Sequence, residues 1–386
     1  MTFQQFGHKL VVPQDTEEDF PRPGRHLEKI ELPLDLPVIV YGAGSFSNQY
    51  NSDHHIKSEL PLRTVRLALR YGIRAFDTSA YYGPSEVVLG TILESIRDEF
   101  PRSSYRLMTK CGRYGVSAFD YEPDTIRQSV IRSLERLKTD YLDVVYLHDV
   151  EFVADPVLPR TSGNAISALQ DEAAAFGLGV GDEGKIRGEG DVKILKAFAE
   201  LQKLKDEGII KNIGITGYPL PTLLRLALLI LHNPPYKPLD ILLSYSHLCL
   251  QNSNFARFAG EFRERAKVGT LMAASPLSMG LLTNRIPDWH PAPPKLRDAV
   301  KEAIAGWEGD FPNLALGYSI NETGIDNGNV PLVLGLSTPA EVHKAIKVWR
   351  ETRDRAGDVA RRKAGEKKAQ EVFARAKYLD WSWPSP

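Results

Sequence analysis

Eight short apolar runs recur along the chain, each separated from the next by a stretch with helical spacing, and this alternation limits the fold more than any other feature. The runs are 38–41, 74–76, 105–108, 142–147, 213–215, 239–243, 270–273 and 330–334. Most are nearly continuous rather than alternating, the pattern of strands buried on both faces of a parallel sheet. Between them, Ile126, Val130, Ile131, Leu134 and Leu137 share one face of a helix predicted over 123–138. Pro123 suits its first position and Asp124 the positive end of its dipole. Ile194, Leu195, Phe198, Leu201 and Leu204 do the same over 192–207, and Gly208 stops that helix. Strict alternation of eight strands with helices predicts an α/β fold of the (β/α)8 TIM-barrel type. Such barrels routinely take about 250 residues or more as one unit, so a single domain over 1–386 is expected.

Three segments depart from the rhythm. Residues 1–32 are polar and rich in Pro and charge, and are expected to form an N-terminal arm over the barrel bottom. Residues 151–190 carry Pro156, Pro159 and a Gly-rich run from Gly177 to Gly190. They predict a long insertion loop after the fourth strand, with a short helix near 165–175. The insertion falls on the face where barrels place their sites, so a mobile loop and a partial lid are both open. Residues 354–386 form a C-terminal tail. The stretch 351–368 is rich in Lys, Arg and Glu and predicts a solvated helix face, because acids interleave the bases. Trp289, Trp381 and Trp383 are expected either to pack in the core and tail or to wall a pocket.

The net charge of -1 argues against a broad electrostatic grip on nucleic acid or anionic membrane, and neither is expected as a partner. The most apolar helical run, 223–231, is far too short to span a bilayer. Cys111 and Cys249 are the only cysteines, so no disulfide framework or Cys-rich zinc site is available. His54 and His55 read as surface residues, and no metal is expected. The first thirty residues lack the apolar stretch of a signal peptide, and a cytoplasmic location is expected.

The chemistry lies at the ends of the strands. After the second comes Asp77-Thr78-Ser79-Ala80-Tyr81-Tyr82-Gly83-Pro84-Ser85-Glu86; after the third comes Lys110; after the fourth comes His148. In a barrel these ends meet on one face, so an acid, a tyrosine, a lysine and a histidine converge. Singly, each has an ordinary structural explanation; on three successive strand ends together they do not. A phenol can give or take a proton at a substrate oxygen, but its free pKa is ~10. An ammonium ~4 Å away favours the phenolate by about 4 kcal/mol at an effective dielectric of ~20, before desolvation is charged against it. Lys110 would supply that charge, Asp77 would keep it protonated, and His148 would hydrogen-bond the substrate oxygen.

These residues resemble a known family. Asp77-Thr78, Tyr82-Gly83 and Ser85-Glu86, then Thr109-Lys110, then Tyr146-Leu147-His148, are similar to the catalytic tetrad of the aldo-keto reductases, and the likeness runs from about 38 to 345. The resemblance implies Tyr82 as acid/base, Lys110 and Asp77 as its tuners, and His148 with Asp149 at the substrate. It implies a nicotinamide cofactor held without a Rossmann motif, and no strand here leads into G-x-G-x-x-G. The cofactor positions it implies are Gly44 and Ser45 after the first strand, Asp77, Thr216 and Gly217, Ser244, the clasp of Ser275, Leu277, Gly280 and Leu281, and Leu336, Ser337 and Glu341. Glu341 stands where members that use NADP place an arginine, which implies NAD.

Residues 216–220, 244–247, 275–282 and 148–152 resemble one branch, the L-galactose dehydrogenases and fungal NAD-dependent D-arabinose 1-dehydrogenases. The branch implies oxidation of the anomeric carbon of an aldose to a lactone, on routes to ascorbate or its five-carbon analogue. A monomer or weak homodimer is expected. A general NADPH-dependent carbonyl reductase and a non-catalytic, cofactor-sensing barrel remain as alternatives.

Overall fold

All eight apolar runs form strands in the computed structural model, which describes residues 9–27, 34–324, 330–353 and 358–385. The strands are β1 (Ile39–Gly42), β2 (Ala75–Asp77), β3 (Arg106–Cys111), β4 (Leu142–His148), β5 (Ile210–Gly217), β6 (Ile241–Tyr245), β7 (Thr270–Ala274) and β8 (Leu332–Gly335). The helices are α1 (Asp53–Ile56), α2 (Leu60–Arg70), α3 (Ser85–Ser95), α4 (Pro123–Leu137), α5 (Glu189–Asp206), α6 (Leu220–Leu231), α7 (Asn254–Glu264), α8 (Pro294–Ala305), α9 (Phe311–Glu322), α10 (Pro339–Arg353) and α11 (Val359–Arg375). The sheet is a closed barrel with its strands in chain order, and the registered pairs are parallel. β1 and β4 are buried along their whole length, as their nearly continuous apolar runs suit. Register sets the strand ends side by side. Gly42 stands opposite Asp77, Lys110 opposite Tyr146, and His148 opposite Thr216.

By the density of its internal contacts the chain divides into two compact units. The first comprises Met1–Ala154, Gly188–Thr216 and Val333–Ile346. In it α4 buries Ile126, Val130 and Leu137 while Ile131 and Leu134 stay half-exposed, and α5 buries Ile194, Phe198, Leu201 and Leu204. Arg66 and Arg70 of α2 bind Asp15 at 2.6 and 3.0 Å, Arg63 pairs with Asp19, and the Leu27 N–H donates to the Tyr71 carbonyl at 3.0 Å. The described part of the arm packs on α2, whose three arginines meet the arm's acids, and the Leu10 N–H donates to Ser95 Oγ at the end of α3 at 2.8 Å. The rest of the arm lies outside the described residues.

The second unit comprises Asp155–Arg187, Gly217–Leu332 and Lys347–Pro386. Its core joins Tyr218, Leu250, Leu281, Leu296, Phe311 and Phe373 to Trp383. The insertion does not form the single short helix expected near 165–175. It makes two 3-10 turns, Ile166–Leu169 and Ala173–Phe176, and Gly177 at φ 69° ends the second. It is packed, not loose. Arg160 pairs with Glu172 at 2.6 Å, Gly163 and Ser382 exchange backbone hydrogen bonds at 2.8 and 3.0 Å, and Arg225 donates to the Asp155 carbonyl at 2.9 Å. The charged tail does form a helix with a solvated face. α11 exposes Arg361, Lys367 and Lys368 and buries Ala369, Val372 and Phe373. Trp383 is buried and stacks on Tyr218 with ring centroids 5.5 Å apart, Trp381 packs on Tyr378, and Trp289 is 43% exposed.

Candidate active site

β2 ends on Asp77, and a compact turn carries the chain from there into α3. The turn is built from its own motif. Tyr82 N–H donates to the Ser79 carbonyl at 3.1 Å, Thr78 Oγ1 donates to Ser85 Oγ at 2.8 Å, and Ser85 Oγ donates to the Ala43 carbonyl at 2.6 Å. Glu86 is buried and accepts from Thr109 Oγ1 at 2.5 Å and Arg136 Nε at 2.6 Å. Ser85 and Glu86 thus hold the turn while Tyr82, only half-buried, projects from it.

The strand ends converge as the sequence predicts. Lys110, 2% exposed, places Nζ 2.5 Å from Asp77 Oδ2, 2.9 Å from the Thr78 carbonyl and 3.3 Å from the Tyr82 hydroxyl. Three donors meet three acceptors, so the ammonium is fully satisfied. Burial alone would lower the Lys110 pKa, but the Asp77 charge and the Tyr82 hydroxyl outweigh it and hold it up. Burial raises the Asp77 carboxyl against the opposing pull of Lys110.

Tyr82 carries the main correction. Lys110 does pull its pKa down, as expected, but burial pushes it up by more, and the net shift is upward. Residue types reveal the ammonium but not the water that the phenol loses, and the lost water decides the sign.

His148 ends β4 with its ring edge-on to Tyr82 at 5.7 Å. Burial, then the charges of Lys110 and Arg113, hold its pKa well below the ordinary range, so the imidazole is neutral. Its backbone is pinned by Tyr121, whose hydroxyl donates to the His148 carbonyl at 2.6 Å. Room for Tyr121 requires Gly112, which sits at φ 96° and where a Cβ would lie 2.5 Å from the Tyr121 ring.

The chain then reverses at Asp149, which adopts the left-handed region (φ 54°, ψ 57°). That turn brings Asp149 Oδ2 to 3.5 Å from His148 Nε2 and into a buried ion pair with Arg113. The Arg113 guanidinium lies over the rings of Tyr81, Phe119 and Phe152 at 4.3, 5.2 and 5.3 Å. Burial raises the Asp149 carboxyl, and Arg113 opposes it. Sequence reasoning missed Arg113, Ser79 and Tyr121. Ser79 lies within the motif from Asp77 to Glu86 but at one of its unspecified positions, and no motif marks Arg113 or Tyr121, which act through loops whose paths only packing determines.

In the first unit, the other predicted positions cluster around the loop after β1. A Cβ on Gly44 would lie 3.7 Å from the Tyr82 ring. Ser45 Oγ donates to the Leu336 carbonyl at 3.0 Å, and Asn51 Nδ2 donates to Ser337 Oγ at 2.9 Å. Thr216 is buried beside His148 in register. Glu341 accepts from the Ser337 N–H at 2.6 Å, and Thr338 Oγ1 accepts from the Glu341 N–H at 3.3 Å, so Glu341 belongs to the cap of α10. In the second unit, Gly217 ends β5, and Ser244 Oγ is already engaged by the Tyr218 carbonyl at 3.3 Å and His247 Nδ1 at 3.2 Å. The loop after β7 is strained. Ser275, Ser278, Met279 and Gly280 all take positive φ, from 51° to 91°. Leu277 packs against the core of this unit, and the Leu281 side chain is buried in it, so the latter can offer a ligand only backbone. Among the described residues no group of three His, Cys, Asp or Glu gathers as a metal site, and no helix is long and apolar enough to cross a membrane.

The sequence matches the aldo/keto reductase family over residues 38–361. It is 36% identical over 328 residues to a D-arabinose 1-dehydrogenase of Saccharomyces cerevisiae, covering 83% of this chain and 85% of that one. It is 32% identical over 319 residues to an L-galactose dehydrogenase of Arabidopsis thaliana, covering 81% and 84%. The fold is similar to that of a holo-form aldo-keto reductase from Bacillus halodurans, with a TM-score of 0.60 at 18% identity over 90% of this chain and 96% of that one.

Proposed function

The chain belongs to the aldo/keto reductase family, and on that footing we propose that it is an aldose 1-dehydrogenase, using NAD to oxidise the anomeric carbon of a sugar of the D-arabinose, L-galactose or L-fucose type to the aldonolactone. The observation that carries the reading is the hydrogen-bonded chain from buried Asp77 through buried Lys110 to the Tyr82 hydroxyl, with the His148 ring edge-on to Tyr82. The sugar class is supported by the two dehydrogenase relatives, which align over most of the chain.

The residues present fit a nicotinamide. Asp77 Oδ1 is buried without a partner, and Gly44 leaves open the space before the Tyr82 ring that a side chain would fill. Ser45, Asp77 and Thr216 of the first unit would hold it. When bound, the nicotinamide supplies the acceptor for the hydride leaving C1. Tyr82 takes the proton of the C1 hydroxyl, so one proton and one hydride leave the sugar and the C1–O bond becomes a carbonyl. Lys110 stabilises the phenolate that this requires. His148, neutral, donates a hydrogen bond to the same oxygen and fixes its position. The Asp149–Arg113 pair offers an acceptor and donors to neighbouring hydroxyls, which simple aldehydes lack. NAD is favoured over NADP because residues 335–341 contain no Lys or Arg to meet a 2′-phosphate, and Glu341 adds a like charge.

A panel of pyranoses assayed with NAD and with NADP tests the proposal. NADH formation with D-arabinose, L-galactose or L-fucose is expected. Faster turnover of D-glucose or of aromatic aldehydes would instead favour a general reductase.

A further inference from the structure

Ser79 is fully buried, and its hydroxyl has two partners. It accepts the Tyr81 N–H at 3.1 Å and lies 3.0 Å from His148 Nδ1. A buried hydroxyl whose own hydrogen finds no acceptor is costly. Were the proton on Nδ1, Ser79 Oγ would receive two donors and its hydrogen would be left with neither protein acceptor nor solvent. With Nδ1 bare, the Ser79 O–H donates to it and every group is satisfied. The opposite edge of the ring points the same way. Asp149 Oδ2, paired with Arg113, stands 3.5 Å from Nε2, where it favours an N–H and opposes a lone pair. Burial, with the charges of Lys110 and Arg113, keeps the ring from taking a second proton.

We propose that Ser79 is a positioning residue that fixes His148 as the Nε2–H tautomer, so that the ring presents a donor to the substrate oxygen. The inference rests on the proposed role of His148. Without Ser79, only Asp149 Oδ2, 3.5 Å from Nε2 and shared with Arg113, biases the ring, and a share of the molecules would present a lone pair to an oxygen that needs a donor.

The test pairs kinetics with the nitrogen spectrum of the full-length protein labelled with 15N-histidine, His148 being assigned by comparison with His148→Gln. In the wild type, Nδ1 of His148 should resonate far downfield as an unprotonated nitrogen and Nε2 as a protonated one. Ser79→Ala should blur that pattern and lower kcat about tenfold, with NAD affinity unchanged. Ser79→Thr, which keeps the hydroxyl, should restore both. A wild-type proton on Nδ1, or a Ser79→Ala enzyme with kcat within about twofold of wild type, overturns the proposal. Should Ser79→Ala fail to fold, the wild-type spectrum and Ser79→Thr still decide. Should no aldose be oxidised at all, the proposed function fails, while the spectrum still reports the tautomer.

Discussion

Lys110 Nζ stands 3.3 Å from the Tyr82 hydroxyl, yet the phenol is harder to ionise than a free tyrosine, because burial outweighs the ammonium. The enzyme therefore rests with Tyr82 protonated at neutral pH. Oxidation needs the ionised form. Its kcat/KM should climb as pH rises towards the phenol's raised pKa, while reduction, which needs the protonated form, should stay flat and then fall. Initial rates in both directions across pH 6 to about 10 check this, and an oxidative rate already level at neutral pH would contradict it.

Replacing Lys110 by Met removes the main charge that pulls the Tyr82 pKa down. The rising limb of the oxidative profile should move to still higher pH, or activity should vanish. An unchanged profile with good turnover would make Lys110 structural only.

Tyr82→Phe removes the proton carrier and leaves the ring. Turnover should fall to less than about one per cent of wild type, with NAD affinity within about threefold. Tyr81 is no substitute, since its ring lies against the Arg113 guanidinium at 4.3 Å. Activity above a few per cent would move the acid/base role elsewhere.

Asp149→Asn leaves the Arg113 guanidinium buried without its carboxylate. Breaking a buried pair costs about 3–5 kcal/mol, so the melting temperature should fall measurably. kcat/KM should drop more for an aldose than for a small aldehyde that has no hydroxyls to offer. Equal losses on both would show that the pair supports the fold and does not read the sugar.

Glu341→Arg should shift the ratio of kcat/KM from NAD towards NADP. The Ser337 N–H also loses its acceptor, so a stability cost of about 1 kcal/mol is expected alongside. An unmoved ratio would mean that this loop does not face the adenosine ribose.

Trp383→Ala opens a cavity beneath Tyr218 in the core of the second unit. A loss of about 3–5 kcal/mol by denaturant titration is expected, and a loss below about 1 kcal/mol would show that the ring is not part of that core.

The sequence by itself determined the barrel and its reactive group. Eight short, mostly continuous apolar runs alternating with helical stretches suit strands covered on both faces. Asp77, Lys110 and His148 stand at strand ends whose separation is fixed once the strands pair in order, and Tyr82 sits on a turn closed by its own motif through Ser79, Thr78 and Ser85. What only the tertiary structure decided lies in the loops and in the balance of opposed effects. Arg113 reaches Asp149 because Asp149 turns left-handed after β4, and no local preference announces that bend. Glu341 caps α10 because the chain before that helix curls back onto it. The direction of the Tyr82 shift is the difference between a nearby charge, which residue types reveal, and lost hydration, which depends on everything packed around the phenol.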